Sequence, residues 1–133
     1  MPEFKIFTLE IKDDGIQILS IHDSIGSFSD SEIFKELEQL LHLFDVSRSE
    51  DSSAKIVPGL VVDFAGVEYF GSSFLEAMRA IWNRIEENKG KMVLCNVCGV
   101  CLEILEVSKF DTIWPILDSR DEAIAALKES RQP

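Results

Sequence analysis

The chain has 133 residues, of which 46% are apolar, and its 24 acidic and 13 basic side chains give a formal net charge of −11. This length and apolar content suit one compact domain spanning residues 1–133, and the negative field repels nucleic-acid phosphates and anionic lipid surfaces. No apolar run reaches the roughly 20 residues of a membrane helix, and the N-terminal residues lack the order of a signal peptide. We therefore expect a cytoplasmic protein that neither binds nucleic acid nor inserts into a membrane.

A β-hairpin is expected at the start of the chain. The segments FKIFTLEIK and GIQILSIH are rich in Phe, Ile and Thr, and an Asp-Gly pair stands between them. Asp-Gly suits the tight turn that joins two antiparallel strands.

A helix and a polar segment follow the hairpin. Ser29 and Glu32 form an S-x-x-E capping box ahead of an apolar stripe at helical spacing, which predicts a helix from Asp30 to Phe44. The stretch from Asp45 to Lys55 is serine-rich and has no periodicity. We expect it to be a mobile surface loop without a domain boundary.

The middle of the chain predicts a buried strand, a helix and a second buried strand. The run LVVDFAGV after Pro58 and Gly59 is typical of a central strand with both faces covered. Apolar residues then recur at helical spacing, which predicts a helix from Ser73 to Asn88 that stops near Gly90. KMVLCNV is expected to be the next strand.

The C-terminal part completes the pattern with a third helix, an edge strand and a fourth helix. Cys101 and Leu105 lie on one side of the third helix, together with Ile104 and Ser108. TIWPI is expected to be an edge strand, because Pro115 cannot donate to a neighbouring strand. Ser119 and Glu122 form a second capping box ahead of the fourth helix, whose apolar residues are Ala123, Ile124 and Leu127. The order predicts an α/β fold with a mixed sheet of about five strands, the later ones parallel, and about four helices.

Two adjacent hydroxyls, Ser72 and Ser73, fall between the carboxyl end of the central strand and the start of the second helix. Open α/β sheets place ligand and partner sites at such turns. Two explanations stay open for the pair. A serine can cap the helix and stabilise it by about 1 kcal/mol. A hydroxyl at a helix start can instead accept a phosphate, because unpaired amides and the positive dipole end favour an anion.

The segment LVVDFAGVEYFGSSFLEAMRAIW resembles the signature of STAS domains, the family of the anti-sigma-factor antagonists. In that signature an apolar strand ends in Asp, a short loop follows, and Asp-Ser-Ser-Gly or Asp-Ser-Thr-Gly opens an amphipathic helix. The resemblance covers nearly the whole chain and implies a regulatory binding domain that is not an enzyme and has no cofactor. Asp63 matches the strand-end position, and we expect it to organise the loop by accepting bonds from backbone amides.

The resemblance also implies a phosphorylation switch. In the antagonist branch a partner serine kinase, itself the anti-sigma factor, phosphorylates the serine after the aspartate. That acceptor corresponds to Ser72, with Ser73 as neighbour or substitute, and a phosphatase completes the implied set of bacterial signalling partners in transcription regulation. Gly71 stands where the family usually has Asp, and Phe74 stands where it usually has Gly. A scaffold or transporter-associated STAS partner without phosphorylation is the alternative, and a homodimer stays open.

The candidate partner-binding residues surround this serine pair: Tyr69, Phe70, Gly71, Ser72, Ser73 and Phe74. The helix register turns Phe74 inward as core, whereas exposure with Tyr69 and Phe70 would create an aromatic docking patch. Phosphate adds a charge of roughly −1.5 to −2, which is expected to abolish partner binding by repulsion and bulk. Ser72→Ala is expected to keep the fold and the bound state.

Three cysteines, Cys95, Cys98 and Cys101, follow the spacing C-x-x-C-x-x-C. Thiolates are good ligands for zinc and iron–sulfur clusters, but a fourth ligand is missing, and His22 and His42 lie far away in sequence. We expect packing rather than metal ligation, and metal binding stays an alternative. A serine hydrolase is a remote alternative, because the serine pair lacks a G-x-S-x-G elbow and a nearby histidine.

Overall fold

The computed structural model describes residues 6–11, 16–21, 28–50, 59–87 and 89–130. Within these ranges five strands form one mixed sheet in the order β1-β2-β3-β4-β5. The strands are β1 (Phe7–Ile11), β2 (Ile16–Ile21), β3 (Gly59–Asp63), β4 (Lys91–Cys95) and β5 (Ile116–Leu117). β1 pairs with β2 in antiparallel fashion, and every later neighbouring pair is parallel. The predicted hairpin and mixed sheet are confirmed, while the hairpin turn lies outside the described residues.

Four α-helices and one short 3-10 helix connect and flank the strands in the described ranges. They are α1 (Asp30–Glu50), α2 (Ser72–Glu87), α3 (Gly99–Val107), the 3-10 helix (Phe110–Thr112) and α4 (Arg120–Ser130). None of these helices combines the length and the apolar composition needed to cross a bilayer. The predicted α/β class with about four helices is confirmed.

The helices cover both faces of the sheet, because successive strand residues point to opposite sides. Leu60 and Val62 of β3 belong to the larger core, which also holds the apolar residues of α1, α2 and α3. Val61 belongs to a smaller core on the other face, where α4 supplies Ala123 and Leu127. β3 is therefore buried along its whole length, as its unbroken apolar sequence predicts.

The first helix is longer than its apolar stripe predicts. Residues 45–50 continue α1, so the expectation of a surface loop from Asp45 is wrong for these six positions. No Gly or Pro occurs between Phe44 and Pro58, so nothing in the covalent chain forces the helix to end where its apolar periodicity ends. Residues 51–55 of the expected loop lie outside the described part.

The last strand overlaps the predicted TIWPI only at Ile116 and extends to Leu117, although its edge position is confirmed. Thr112 belongs to the 3-10 helix, and Trp114 is fully buried, with its ring stacked on Phe110 at a centroid distance of 4.6 Å. Burying this indole turns the chain into the core before Pro115. The strand then starts after the proline, whose carbonyl accepts a bond from the Leu94 amide at 2.8 Å.

Both predicted capping boxes hold their helix starts. The Glu32 amide donates to Ser29 Oγ at 3.3 Å, and the Ser29 amide donates to Glu32 Oε1 at 3.0 Å. At α4 the Glu122 amide donates to Ser119 Oγ at 3.2 Å, while the Glu122 carboxylate accepts from the Asp118 amide at 3.1 Å. In the second box the Glu122 carboxylate therefore bonds to the amide of the residue before Ser119, and not to the Ser119 amide itself.

Ser29→Ala is expected to lower the free energy of unfolding by about 1 kcal/mol, because the Glu32 amide at the start of α1 loses its acceptor. Urea unfolding followed by circular dichroism measures the change. Ser31→Ala is the matched control, since Ser31 is also exposed near this helix start but does not bond to the Glu32 amide. An equal loss in both variants would contradict the capping assignment.

Candidate functional site

One carboxylate, that of Asp63, connects two loops and the start of α4 at the carboxyl edge of the sheet. Its Oδ1 accepts bonds from the Ala65 amide and from Asn96 Nδ2, both at 2.9 Å. Its Oδ2 accepts bonds from Arg120 Nε at 3.1 Å and Nη2 at 2.8 Å. The contact with Ala65 is of the kind that a loop-organising role requires. Asp63 therefore links the β3–α2 loop, the β4–α3 loop and the start of α4.

Arg120 extends this network to the hairpin. Its Nη2 lies 3.4 Å from Ser20 Oγ on β2, and its Nη1 lies 3.9 Å from Glu10 Oε2 on β1. Arg120 occupies the first position of α4, where the positive end of the helix dipole disfavours a cation. The carboxylate of Asp63 compensates that disadvantage.

The hydrogen bonds to Asp63 keep it ionised although it is only 5% exposed. Burial raises its pKa, but the bonds from Asn96, Ala65 and Arg120 and the charge of Arg120 outweigh burial and lower the pKa below the ordinary 3.8. Asn96 reaches the carboxylate from a left-handed backbone conformation with φ of 57°, which asparagine tolerates better than most residues.

The β3–α2 loop buries two of its three predicted docking aromatics. Phe70 and Phe74 are 2% and 1% exposed, and both pack against Phe64 at centroid distances of 5.9 Å. Phe74 thus turns inward, as the helix register predicts, and the conditional aromatic patch does not form. Tyr69 alone of the three predicted docking aromatics is exposed, at 58%. The rings of Phe70 and Phe74 anchor the loop in the core and cannot contact a partner directly.

The two adjacent serines have different environments. The Gly71 carbonyl accepts the first helical bond, from the Leu75 amide at 3.3 Å, so Gly71 is the N-cap of α2 and neither serine occupies that position. Ser73 is half-buried, and its hydroxyl donates to Asp30 Oδ1 at the start of α1. Ser72 is exposed, and its hydroxyl makes no hydrogen bond to the described residues. The capping explanation therefore does not apply to either serine.

The backbone at the start of α2 favours an anion, although the Asp30 carboxylate lies against the neighbouring Ser73. The first turn contains no acidic residue. The first amides of a helix lack partners within it and carry the positive end of its dipole. Gly71 leaves this end open, since a Cβ placed on it would meet no atom within 4 Å.

The three cysteines do not assemble a metal site in the described part of the chain. Within it, no cluster of three His, Cys, Asp or Glu side chains has the geometry to hold an ion. Burial raises the pKa of Cys95 and of Cys101 to about 12, so both stay protonated thiols at neutral pH. His42 is exposed on α1, and His22 lies outside the described residues. The expected packing role suits Cys95 and Cys101, which are fully buried, whereas Cys98 is half-buried.

Comparison with known proteins places this geometry in a family. The model of the STAS domain matches residues 11–123, which is most of the chain. The chain belongs to the STAS domain family. As a STAS domain it has the strand-end aspartate, Asp63, and the serine pair of the signature, Ser72 and Ser73.

Relatives of this STAS domain include anti-sigma-factor antagonists. BtrV of Bordetella bronchiseptica, provisionally named an anti-sigma factor antagonist, is 30% identical over 69 residues, which cover 52% of this chain and 60% of that protein. The matched segment thus spans less than two thirds of this curated relative. The solved anti-sigma-factor antagonist (STAS) domain protein from Planctomyces limnophilus is 25% identical with a TM-score of 0.72, covering 92% of this chain and 97% of that chain.

A third likeness concerns the fold alone. The Bacillus cell fate determinant SpoIIAA, solved in its phosphorylated form, is 16% identical with a TM-score of 0.62. The match covers 90% of this chain and 97% of that chain.

Asn96 and Arg120 are the site residues that the sequence interpretation missed. A carboxylate at the end of a fully apolar strand needs donors, because buried charges are paired or hydrogen-bonded. The signal for Arg120 was its place in the first turn of a helix beside Asp121 and Glu122, where a cation is unfavourable without a tertiary partner.

Asp63→Asn is expected to lower the free energy of unfolding at pH 7 by about 2 kcal/mol, because Arg120 loses a charged acceptor. The folded pKa of Asp63 lies below 3.8, so the advantage of the natural residue is complete above that pH and disappears as pH falls through the folded value. Urea unfolding between pH 7 and pH 3 tests this. Glu87→Gln, which removes an exposed ion pair with Arg84, is the control and should change stability by only a few tenths of a kcal/mol. A difference that is independent of pH would contradict the ion-pair role.

Gly71→Asp is expected to stabilise the protein by roughly 0.5 kcal/mol, because its carboxylate can accept bonds from the first amides of α2. The open space around Gly71 and the absence of a positive φ there permit the side chain. Thermal unfolding measures the effect. Gly71→Ala adds a Cβ without an acceptor and should not stabilise, so equal gains in both variants would rule out the capping mechanism.

Proposed function

We propose that this STAS domain is a regulatory binding module of the anti-sigma-factor antagonist kind, controlled by phosphorylation of Ser72. The observation that carries the proposal is the exposed Ser72 hydroxyl, unbonded within the described residues, in a first turn of α2 that contains no acidic residue. The phosphorylated form of the structural relative SpoIIAA supports the same kind of modification. In this proposal the domain binds partners and catalyses no reaction.

Ser72 is the better acceptor of the two serines. A kinase must reach the hydroxyl oxygen, and Ser72 is exposed whereas Ser73 is half-buried. The Ser73 hydroxyl is also engaged with the carboxylate of Asp30. A phosphate on Ser73 would have to replace this bond and would face a like charge.

Phosphorylation of Ser72 would act on the docking surface and leave the core intact. Tyr69, Gly71 and Ser72 are exposed, while the Phe70 and Phe74 side chains in the same segment are buried in the core. A phosphoserine adds roughly −1.5 to −2 charges and three acceptor oxygens at this surface. A partner that docks on the neutral surface would meet a bulky anion in its place. Dephosphorylation would restore the original surface.

The partners in this proposal are an anti-sigma factor with serine kinase activity and a phosphatase that reverses its action. The names of the relatives from Bordetella and Planctomyces support the antagonist role. Gly71 leaves the acceptor without the neighbouring carboxylate that is usual in the family, so the kinase must recognise a less acidic acceptor loop. We place the protein with these partners in the cytoplasm, as part of transcription regulation.

The test uses the full chain, ATP and the anti-sigma factor kinase encoded in the same genome. Mass spectrometry of the digested product is expected to find phosphate on Ser72. Ser72→Ala should abolish phosphorylation, and the matched variant Ser73→Ala should retain it. Phosphate on Ser73 alone, or none on either serine, would overturn the assignment.

Binding to the same kinase gives a second readout, by calorimetry with unmodified, phosphorylated and Ser72→Ala protein. The phosphorylated form is expected to bind at least about tenfold more weakly, which corresponds to about 1.4 kcal/mol. Ser72→Ala is expected to bind as the unmodified protein does, because it removes an exposed hydroxyl that has no hydrogen bond to the described residues. Loss of binding in Ser72→Ala would contradict the switch. Equal binding of all three forms would instead favour a scaffold that docks without phosphorylation.

A further inference from the structure

Two cysteines meet at the start of α3. Cys98 is the N-cap of this helix, and Cys101 is its third residue. Residues three apart at a helix start are neighbours on one side of the helix, a spacing that a disulfide can span. The third cysteine, Cys95, lies in β4 on the opposite face of the sheet, in the smaller core. The chain therefore presents one pair of thiols and one separate thiol.

Both thiols of the pair contact carbonyls of the β3–α2 loop. Cys98 Sγ donates to the Glu68 carbonyl at 3.6 Å, and Cys101 Sγ donates to the Val67 carbonyl at 3.5 Å. The next residue along this loop is the exposed Tyr69. The S–H groups at the start of α3 therefore help to fix the position of the segment that leads to α2.

The two thiols differ in pKa and in exposure, and both differences favour Cys98 as the attacking group. The pKa of Cys98 is lowered, chiefly because the Cys101 amide at the helix start stabilises its thiolate, and Cys98 is half-buried. Burial, with a further contribution from Cys98 itself, raises the pKa of Cys101 to about 12. Attack on an oxidant should therefore begin at Cys98, since the thiolate is the nucleophile.

We propose that Cys98 and Cys101 form a redox-active pair, which a low-molecular-weight disulfide such as oxidised glutathione converts to an intramolecular disulfide that releases the β3–α2 loop. The site is separate from Ser72, and its chemistry does not depend on phosphorylation. It would make the position of the exposed loop responsive to thiol redox state.

The exchange takes place in two steps. The Cys98 thiolate attacks one sulfur of oxidised glutathione, forms a mixed disulfide and expels one glutathione thiolate. The Cys101 sulfur then attacks Cys98 Sγ, expels the second glutathione and transfers its proton to that leaving thiolate. Two electrons pass from the protein to the oxidant. The mixed disulfide at Cys98 also removes the thiolate charge that contributes to the raised pKa of Cys101.

The structural consequence follows from the loss of both S–H donors. A disulfide has no hydrogen to donate, so the carbonyls of Val67 and Glu68 lose the contacts that join them to α3. The Asp63 network at the start of the loop and the buried Phe70 near its end would remain. The change should therefore be concentrated between these two points, at Tyr69.

Tyr69 is a built-in probe, because it is the only tyrosine in the chain. The experiment labels the full-length protein with 3-fluorotyrosine, adds excess oxidised glutathione, quenches with acid and maps free thiols by alkylation and mass spectrometry. Expected are a Cys98–Cys101 disulfide, a free Cys95 and a new fluorine resonance that reverts with reductant. Failure to form the disulfide, or a disulfide without a change in the Tyr69 resonance, would overturn the proposal.

Single substitutions assign the roles of the three cysteines. Cys101→Ser is expected to accumulate the mixed disulfide on Cys98, whereas Cys98→Ser should resist glutathione and keep the reduced resonance. Cys95→Ala is the control and should oxidise as the natural protein does. Oxidation of Cys98→Ser at the same rate as the natural protein would overturn the order of attack. Because Cys98 is only half-buried, this variant is expected to fold, so the test does not depend on a substitution in the core.

Discussion

The carboxylate of Asp63 is the constraint on which the described site depends. A charge at the end of a fully buried strand is costly unless donors surround it, and the three donor residues come from three different segments. Ala65 comes from the loop after β3, Asn96 from the loop after β4, and Arg120 from the first turn of α4. Satisfying one side chain therefore fixes the relative positions of the loops along the carboxyl edge of the sheet, and with them the entry into α2.

The β3–α2 loop is restrained at several points, although many of its residues are exposed. The Ala65 amide bonds to Asp63 near its start, the cysteine thiols contact the carbonyls at its centre, and the Phe70 ring enters the core near its end. Glu68, Tyr69, Gly71 and Ser72 are exposed on this support, as are Ala65 and Gly66 nearer to β3. Such a surface suits a binding module that is altered by adding charge, because a modification of Ser72 does not have to disturb any packed side chain.

The fold could be predicted from the sequence because periodicity, capping boxes and the apolar β3 segment agree with one another. The error at α1 arose because no residue after Phe44 forces the helix to end where its apolar stripe ends. The error at β5 arose because Trp114 is buried in the core rather than extended in a strand. The site was predictable only in part. The position of Asp63 at the end of β3 follows from the signature, and the inward Phe74 follows from the helix register, whereas the role of Ser72 stays a prediction. Arg120 is 57 residues from Asp63, and no local pattern links them.

The most direct test of the account is residue-resolved amide hydrogen exchange of the protein with phosphoserine encoded at position 72, compared with the unmodified protein. If the Asp63 network holds the loops independently of Ser72, protection of the β3, β4 and Ala65 amides stays the same, and changes are confined to residues 69–75. Faster exchange at Ala65 and Asn96 would contradict the account, because phosphate would then act by opening the network rather than by altering the charge of an otherwise fixed surface.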